Sequence, residues 1–362
     1  MNKSWNQADP ARVVWLDLLR AFSAFFIVFL HISSHYAEDL LPLGSAAWWT
    51  TDFYLALTRC AVPVFVMISG VFFLNPAKEI SIQKCFTKYI GHLLTVLLGW
   101  ALLRTGVLSI ALEHTPAPQW GSAYFMSVIT YWFLPMMIGL YLLTPVLRAL
   151  TSTRNKTLLG YFTGLCFVLG LCLPLAQGLQ PQLFPQVVSL DTLATLLKIP
   201  LPIFCAHFVF GYYAYTYDLK PLTKALIYTG AVISLLLMAA GTYAFYVERG
   251  SVFYRYATYG SSVTPMAFLT GAAVFIACKD FLGKIIFAPR AVLWIERFSY
   301  CSLGVYMLHL VLVQTAVHMG LFAKLNVWPA LTVPLYAVGL FLLCSGLIAL
   351  LRPIPFLRKY FL

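Results

Sequence analysis

A carboxylate, a guanidinium and an imidazole occur at regular spacing in one apolar stretch near the start of this sequence. Asp17 precedes Arg20 by three residues, and His31 follows Arg20 by eleven. In a helix of 3.6 residues per turn, residues three apart share a face, and eleven residues make three turns plus about 20°. Arg20 and His31 then lie on one stripe about 16 Å apart. Charged groups in an apolar helix are costly, so this aligned set indicates a functional site.

Two further basic residues reach a similar depth. At a helical rise of 1.5 Å per residue, Arg59 lies about 13 Å from the outer end of the second apolar stretch, and His309 about 18 Å from the inner end of the ninth. His31 lies in the outer half of its own stretch. Polar groups at one level in three stretches predict a shared, water-accessible cavity, with an imidazole to accept a proton and guanidinium groups to stabilise negative charge.

The elements that carry these residues are predicted to be membrane-spanning helices. Of the 362 residues, 61% are hydrophobic and only 10% are charged, and the mean hydropathy is +0.84. A soluble domain has about 25% charged residues, which excludes a mainly water-facing protein. Each span needs roughly 20 apolar residues, so the chain has room for about ten. We therefore predict an all-α fold, a polytopic bundle that forms a single domain over residues 1–362 with no appended soluble domain.

The apolar stretches define ten predicted spans and one long connection. The connection covers 177–194, where prolines and glutamines predict an external loop. The first stretch contains charges and is not followed by a cleavage site, so we do not interpret it as a signal peptide. The predicted spans are 13–35, 50–74, 89–112, 124–148, 157–176, 195–216, 225–246, 261–280, 297–318 and 329–351.

The distribution of basic residues predicts the orientation of the bundle. With the N-terminus inside, sixteen lysines and arginines lie on the cytoplasmic side and only Arg249, Arg255 and Lys324 on the other. Cytoplasmic loops are enriched in these residues, so both termini are predicted to be cytoplasmic. The sixteen are Lys3, Arg12, Lys78, Lys84, Lys88, Arg148, Arg154, Lys156, Lys220, Lys224, Lys279, Lys284, Arg290, Arg352, Arg358 and Lys359.

Other classes of site receive no support from the sequence. The net charge of +12 is dispersed among loops and forms no basic patch, so we expect no nucleic-acid partner. The eight cysteines have no CxxC spacing and most lie in apolar stretches, which favours buried thiols over a disulfide or a metal site. We expect membrane lipids as neighbours and no metal.

Four motifs in order resemble the acyltransferase 3 family of membrane acyltransferases. The first is Asp17-Leu-Leu-Arg20 with His31, and the second is Arg59-Cys-Ala-Val-Pro63-Val-Phe65-Val-Met-Ile-Ser69-Gly70. The third is Trp132-Phe133-Leu134 followed by Ile138-Gly-Leu-Tyr141-Leu-Leu-Thr144-Pro145, and the fourth is Ser302-Leu-Gly304-Val-Tyr306-Met-Leu-His309. The resemblance extends over nearly the whole chain. Two positions depart from it: Thr130 stands where members often have a histidine, and only Lys84 and Lys88 stand where many have an arginine-rich stretch.

The resemblance implies an enzyme of the bacterial cytoplasmic (inner) membrane. Its expected donor is acetyl-CoA on the cytoplasmic side, and its expected acceptor is a hydroxyl of a cell-surface glycan or of a lipid-linked glycan precursor. Stand-alone members of this length are similar to enzymes that O-acetylate enterobacterial common antigen, lipopolysaccharide or exopolysaccharide. A secondary transporter that exports a glycan precursor or a small anion is the alternative, because intramembrane Arg, His and Asp suit transport as well.

On this interpretation the catalytic residues are His31, Arg20 and Asp17. His31 is the expected general base, although an acetyl-His intermediate fits equally, and Asp17 holds Arg20. Arg20 or Arg59 stabilises the oxyanion or positions the thioester. The expected substrate-binding residues are Arg59, Ser69, Trp132, Tyr306 and His309, where helix packing is the alternative for Ser69 and Trp132. Those expected to bind the CoA phosphates are Arg20, Lys84, Lys88, Arg148 and Arg154.

Overall fold

The computed structural model describes residues 13–177, 204–249, 264–324 and 328–362, and these parts of the chain are almost entirely helical. Within them, nine helical segments are long and apolar enough to cross a membrane, so the chain is a polytopic helical membrane protein. In that count α2 and α3 form one segment, and the shorter helices α5, α8 and α13 are not included. The helices are α1 (Val14–Leu40), α2 (Ala46–Thr58), α3 (Ala61–Phe73), α4 (Ile82–Leu112), α5 (Trp120–Thr130), α6 (Phe133–Ser152), α7 (Lys156–Gln177), α8 (Cys205–Thr216), α9 (Pro221–Arg249), α10 (Pro265–Phe281), α11 (Pro289–His318), α12 (Pro329–Leu351) and α13 (Pro355–Tyr360).

Local sequence signals explain where several helices begin. The side chains of Ser45, Ser81, Asn155 and Thr264 accept hydrogen bonds from backbone N–H groups at the starts of α2, α4, α7 and α10. A capping oxygen satisfies an N–H group that has no partner within the helix. Proline opens α10, α11, α12 and α13, at a position where its missing N–H costs nothing.

Several connections between helices lie together at one end of the bundle. Contacts such as Arg148 with the end of α3, Tyr217 with Arg154, and Arg352 with Tyr300 join these connections. The sixteen basic residues predicted to be cytoplasmic lie here, except for Lys3 and Arg12, which are outside the described residues. We call this end, with the connections 74–81, 153–155, 217–220, 282–288 and 352–354, the basic end.

The predicted spans agree with the helices, with differences at their ends. The helices α4 and α11 begin at Ile82 and Pro289, seven to eight residues before the predicted spans 89–112 and 297–318. Hydropathy marks only the apolar part of a helix, and a helix can extend past the bilayer into water. The loop predicted at 177–194 lies, from residue 178, outside the described residues, as does the start of the sixth span, 195–203.

Two predicted spans are interrupted rather than continuous. Span 50–74 divides into α2 and α3 at Arg59–Cys60, and span 124–148 divides into α5 and α6 at Tyr131 and Trp132. Pro63 explains the first break, because its ring has no N–H for the carbonyl of Arg59 four residues earlier. At the second break Tyr131 leaves helical geometry (φ −85°, ψ 35°), and its hydroxyl donates to the carbonyl of Met307 at 3.0 Å.

The first helix, α1, lies at the centre of the bundle. It packs against α2, α3, α11 and α12, and most of its residues are buried. Next to it, α3 and α8 approach so closely that a Cβ atom on Gly70 would lie 1.8 Å from the carbonyl oxygen of Phe208. A Cβ on Gly211 would lie 2.1 Å from the carbonyl oxygen of Met67. Small residues permit such backbone contact between membrane helices, so the two glycines fix the position of α3 against α8.

Candidate active site

The predicted pair of Asp17 and Arg20 is confirmed. Asp17 is 4% exposed, and its Oδ1 lies 3.6 Å from Nη1 of Arg20. The hydroxyl of Ser299 on α11 donates to the same oxygen at 2.6 Å. The guanidinium of Arg20 also lies over the ring of Phe72, 5.3 Å from its centroid. Asp17 and Phe72 therefore contact Arg20 directly, and Ser299 on α11 holds Asp17 in place.

Arg20 faces a cavity of about 420 Å³ that is enclosed by α1, α3, α6 and α11. This cavity, which we call the Arg20 cavity, has polar groups on several walls. Its polar lining includes Arg20, Ser69, Tyr141, Ser299, Ser302 and Tyr306. Three residues predicted from the sequence, Arg20, Ser69 and Tyr306, therefore share one space. The hydroxyl of Ser69 donates to the carbonyl of Phe65 at 3.0 Å, so Ser69 is also tied to its own helix.

The mouth of the cavity lies at the basic end, where Lys78 and Arg352 line it. Burial lowers the pKa of Lys78, and the positive charges of Lys84, Lys88, Arg148 and Arg20 lower it further. Arg352 donates to the carbonyl of Tyr300 at 2.7 Å. Cations that lie this close repel one another, and an anion between them relieves the repulsion. The mouth is therefore suited to phosphate groups.

Sequence reasoning did not assign Lys78, Arg352, Ser299 or Tyr141 to the site. The sequence places Lys78 and Arg352 among the basic residues of cytoplasmic connections, and it places Tyr141 in the third motif without a role. Ser299 stands three residues before Ser302, and this i, i+3 spacing of hydroxyl groups in an apolar stretch is the signal that could have identified it.

The structure brings His31 and His309 together. Their ring centroids are 5.1 Å apart, although the residues lie 278 positions apart in the sequence. His309 is fully buried, and its Nδ1 is 3.1 Å from the carbonyl oxygen of Val305. A carbonyl oxygen can only accept, so the ring nitrogen that contacts it, Nδ1, carries the proton. In the neutral ring Nε2 is then an acceptor. Within the described residues that Nε2 has no hydrogen-bond partner. It therefore offers a lone pair beside His31.

Arg59 is the third basic group at this level. It is 5% exposed and lies close enough to His31 for its charge to act on the imidazole ring. The break that Pro63 produces between α2 and α3 occurs at Arg59, so the proline of the second motif determines where this guanidinium enters the bundle. Three predicted spans thus contribute to this part of the bundle: the rings of His31 and His309 lie against each other, and the charge of Arg59 acts on His31.

Tyr306 lies between the histidines and the Arg20 cavity. Its ring lines the cavity and is 5.8 Å from the ring of His309. Phe133 packs against the same tyrosine, with ring centroids 5.2 Å apart. The site therefore has two compartments: the Arg20 cavity, which opens at the basic end, and the histidine pair on the far side of Tyr306.

Other predicted residues occupy different environments. Trp132 does not line the Arg20 cavity; it is 43% exposed and stacks on Phe204 at 6.0 Å. Lys84 and Lys88 lie at the start of α4 at the basic end, where Lys84 Nζ donates to the carbonyl of Glu79 at 3.2 Å.

Arg148 near the end of α6 and Arg154 just after it differ in what they bind. Arg148 donates to the carbonyls of Phe73 at 2.9 Å, Asn75 at 2.8 Å and Lys78. Its guanidinium thus holds the connection between α3 and α4. The guanidinium of Arg154 forms no hydrogen bond within the described part of the chain, and Arg154 lines a second pocket.

Comparison with known proteins identifies the family. A family model described as an acyltransferase domain matches residues 13–352, nearly the whole chain. The chain belongs to the acyltransferase 3 family. No curated protein and no solved structure matches it. The helices above and this match together make the chain a multi-pass membrane acyltransferase.

Proposed function

We propose that this acyltransferase transfers an acetyl group from acetyl-CoA to a hydroxyl of a cell-surface glycan or its lipid-linked precursor. The observation that carries the proposal is the two-compartment site. An arginine-lined cavity opens among cations at the basic end, and a buried histidine pair lies beyond it. With the basic end on the cytoplasmic side of a bacterial inner membrane, the donor enters from the cytoplasm and the acceptor from the opposite side.

The donor side of the proposal rests on charge. Lys78 and Arg352 at the mouth, with Lys84 and Lys88 nearby, attract the phosphates of CoA. The Arg20 cavity then receives the thioester arm. Arg20, held by Asp17 and about 16 Å along α1 from His31, is suited to position the donor arm in the cavity. Arg59, whose charge acts on His31, is suited to bind the thioester oxygen as negative charge develops on it.

The chemistry rests on the histidines. A sugar hydroxyl is a weak nucleophile, so His31 removes its proton as the oxygen attacks the thioester carbonyl. The new C–O bond forms, the C–S bond breaks, and the thiolate of CoA leaves and takes up a proton. His309 orients the ring of His31 through the contact between the two rings. An alternative route passes through an acetyl group on His31 itself.

Transport of a glycan precursor or a small anion was the competing hypothesis. The family match favours acyl transfer. As the acceptor we propose first enterobacterial common antigen, and then lipopolysaccharide or exopolysaccharide, because family members of this length acetylate such glycans.

The test measures donor consumption. Purified protein in lipid nanodiscs receives acetyl-CoA with extracts of surface glycan, and the release of CoA thiol is followed together with the mass of the glycan. We expect one thiol released per acetyl group added to glycan. Glycan translocation into liposomes without thiol release would instead establish a transporter. Comparison of surface glycans from cells with and without the gene identifies the acceptor.

A further inference from the structure

A second pocket at the basic end lies next to the Arg20 cavity. It has a volume of about 540 Å³ and is formed by Arg154, the connection 75–77 and the end of α8. Three tyrosines, Tyr212, Tyr215 and Tyr217, line it with the arginine. We call it the tyrosine pocket. Its volume is within the range of small-molecule sites, about 300–1,000 Å³.

Arg154 is fixed at the backbone and available at the side chain. Its backbone has the left-handed conformation (φ 51°), which is strained for a non-glycine residue. Its N–H donates to the carbonyl of Thr151 at 3.1 Å, and the hydroxyl of Tyr217 donates to its carbonyl at 3.1 Å. Strain of this kind persists where the surroundings hold it, often at binding sites. The guanidinium itself makes no hydrogen bond within the described residues.

These groups suit one class of ligand. A guanidinium binds phosphate through two parallel hydrogen bonds, and tyrosine rings pack against planar aromatic groups. Arg148, near the end of α6, uses its guanidinium on backbone carbonyls, whereas the guanidinium of Arg154 remains available. A ligand with a phosphate and a heteroaromatic ring, a nucleotide, fits the pocket.

The same connection separates the two pockets. Phe73 and Lys78 line the Arg20 cavity, whereas Asn75, Pro76 and Ala77 between them line the tyrosine pocket. We propose that the two pockets form one composite site for a single donor, resting on the proposed use of acyl-CoA. The adenosine 3′-phosphate end lies in the tyrosine pocket on Arg154. The flexible arm crosses the connection at Lys78 and enters the Arg20 cavity.

The test uses the nucleotide fragment alone. Binding of adenosine 3′,5′-bisphosphate and of acetyl-CoA to the full chain in nanodiscs is measured by calorimetry for the parent, Arg154→Gln and Arg290→Gln. Arg290 is an exposed arginine at the basic end that lines neither pocket, so its variant removes the same charge elsewhere. We expect Arg154→Gln to weaken fragment binding at least tenfold, as for the loss of a charge-assisted hydrogen bond, and Arg290→Gln to change it less than twofold.

Three other outcomes overturn the inference. If the fragment and acetyl-CoA bind the parent and Arg154→Gln equally well, the nucleotide lies elsewhere, and the acyl-CoA function stands. If acetyl-CoA binds but the fragment does not, the tyrosine pocket contributes no site of its own. If the parent binds neither, the proposed function fails together with the inference. Thermal stability of each variant, measured beside the parent, separates lost binding from lost folding, and Arg154→Lys retains the charge for comparison.

Discussion

Replacement of Asp17 tests how Arg20 is held. Asp17 is buried, lies 3.6 Å from Arg20 and accepts from Ser299 at 2.6 Å. Asp17→Ala removes the partner of a charge within the membrane, which costs about 3–5 kcal/mol for a buried pair. The side chain of Arg20 is 29% exposed to the cavity, so the lower figure applies. If that loss falls on the transition state, about 3 kcal/mol corresponds to a decrease in turnover of roughly 100-fold.

Two further variants divide this effect into its parts. Ser299→Ala removes only the hydrogen bond between helices, which averages about 0.6 and reaches about 1.7 kcal/mol in membranes. Turnover should therefore fall about threefold, and by no more than about 18-fold. Asp17→Glu retains the charge and should lie between the parent and Asp17→Ala. The assay is the initial rate of thiol release from acetyl-CoA, normalised to the monodisperse protein. Near-parent rates for both Asp17 variants would show that the pair does not position Arg20 for catalysis.

Three other predictions follow from the contacts at the basic end and in the bundle. In Gly70→Ala the new methyl group would clash with the backbone carbonyl of Phe208, so little folded protein should be obtained. Gly139→Ala has open space around its Cβ and should give the yield of the parent. Equal yields of the two variants by size-exclusion chromatography would contradict the close packing of α3 and α8. Arg148→Lys replaces two guanidinium nitrogens with a single ammonium nitrogen, which cannot keep the geometry of the contacts with all three carbonyls. The KM for acetyl-CoA should therefore rise about tenfold with kcat little changed, and a loss confined to kcat would argue against a role in holding the connection. Because the pKa of Lys78 is lowered, its ammonium group loses a proton at an alkaline pH below the usual pKa of lysine, and the affinity for a thioether analogue of acetyl-CoA should fall there. Lys78→Arg should remove that fall. If the pH profile of Lys78→Arg is the same as that of the parent, Lys78 does not bind the donor.

Much of the fold could be predicted because membrane insertion leaves a direct trace in the sequence. Apolar length marked the spans, and the alternation of basic connections marked which ends of the helices lie together. The breaks at Arg59 and Tyr131 could not be read from hydropathy, since both lie in continuous apolar stretches. Pro63 was visible, but proline is tolerated in membrane helices, so it did not by itself predict an interruption.

Within the site, spacing on one helix predicted contacts and charge type alone did not. The i, i+3 relation of Asp17 and Arg20 needed only helical geometry, and the pair is present. Arg148 and Arg154 looked alike as loop arginines, yet tertiary contacts give the first to backbone carbonyls and leave the second available. Trp132 looked like a cavity residue by motif, but packing places its ring on Phe204. These distinctions depend on neighbours that are distant in the sequence.

The most direct test of the account is the rate of acyl transfer by His31→Ala, measured beside His309→Ala in purified protein. His31 should carry the chemistry, since it shares a helical face with Arg20, its ring lies against that of His309, and the charge of Arg59 acts on it. His31→Ala should insert normally and bind acetyl-CoA, yet lose at least roughly 100-fold in transfer rate, as for loss of a general base. His309→Ala, which removes an orienting acceptor, should lose less. Transfer by His31→Ala at a rate close to that of the parent would contradict the mechanism.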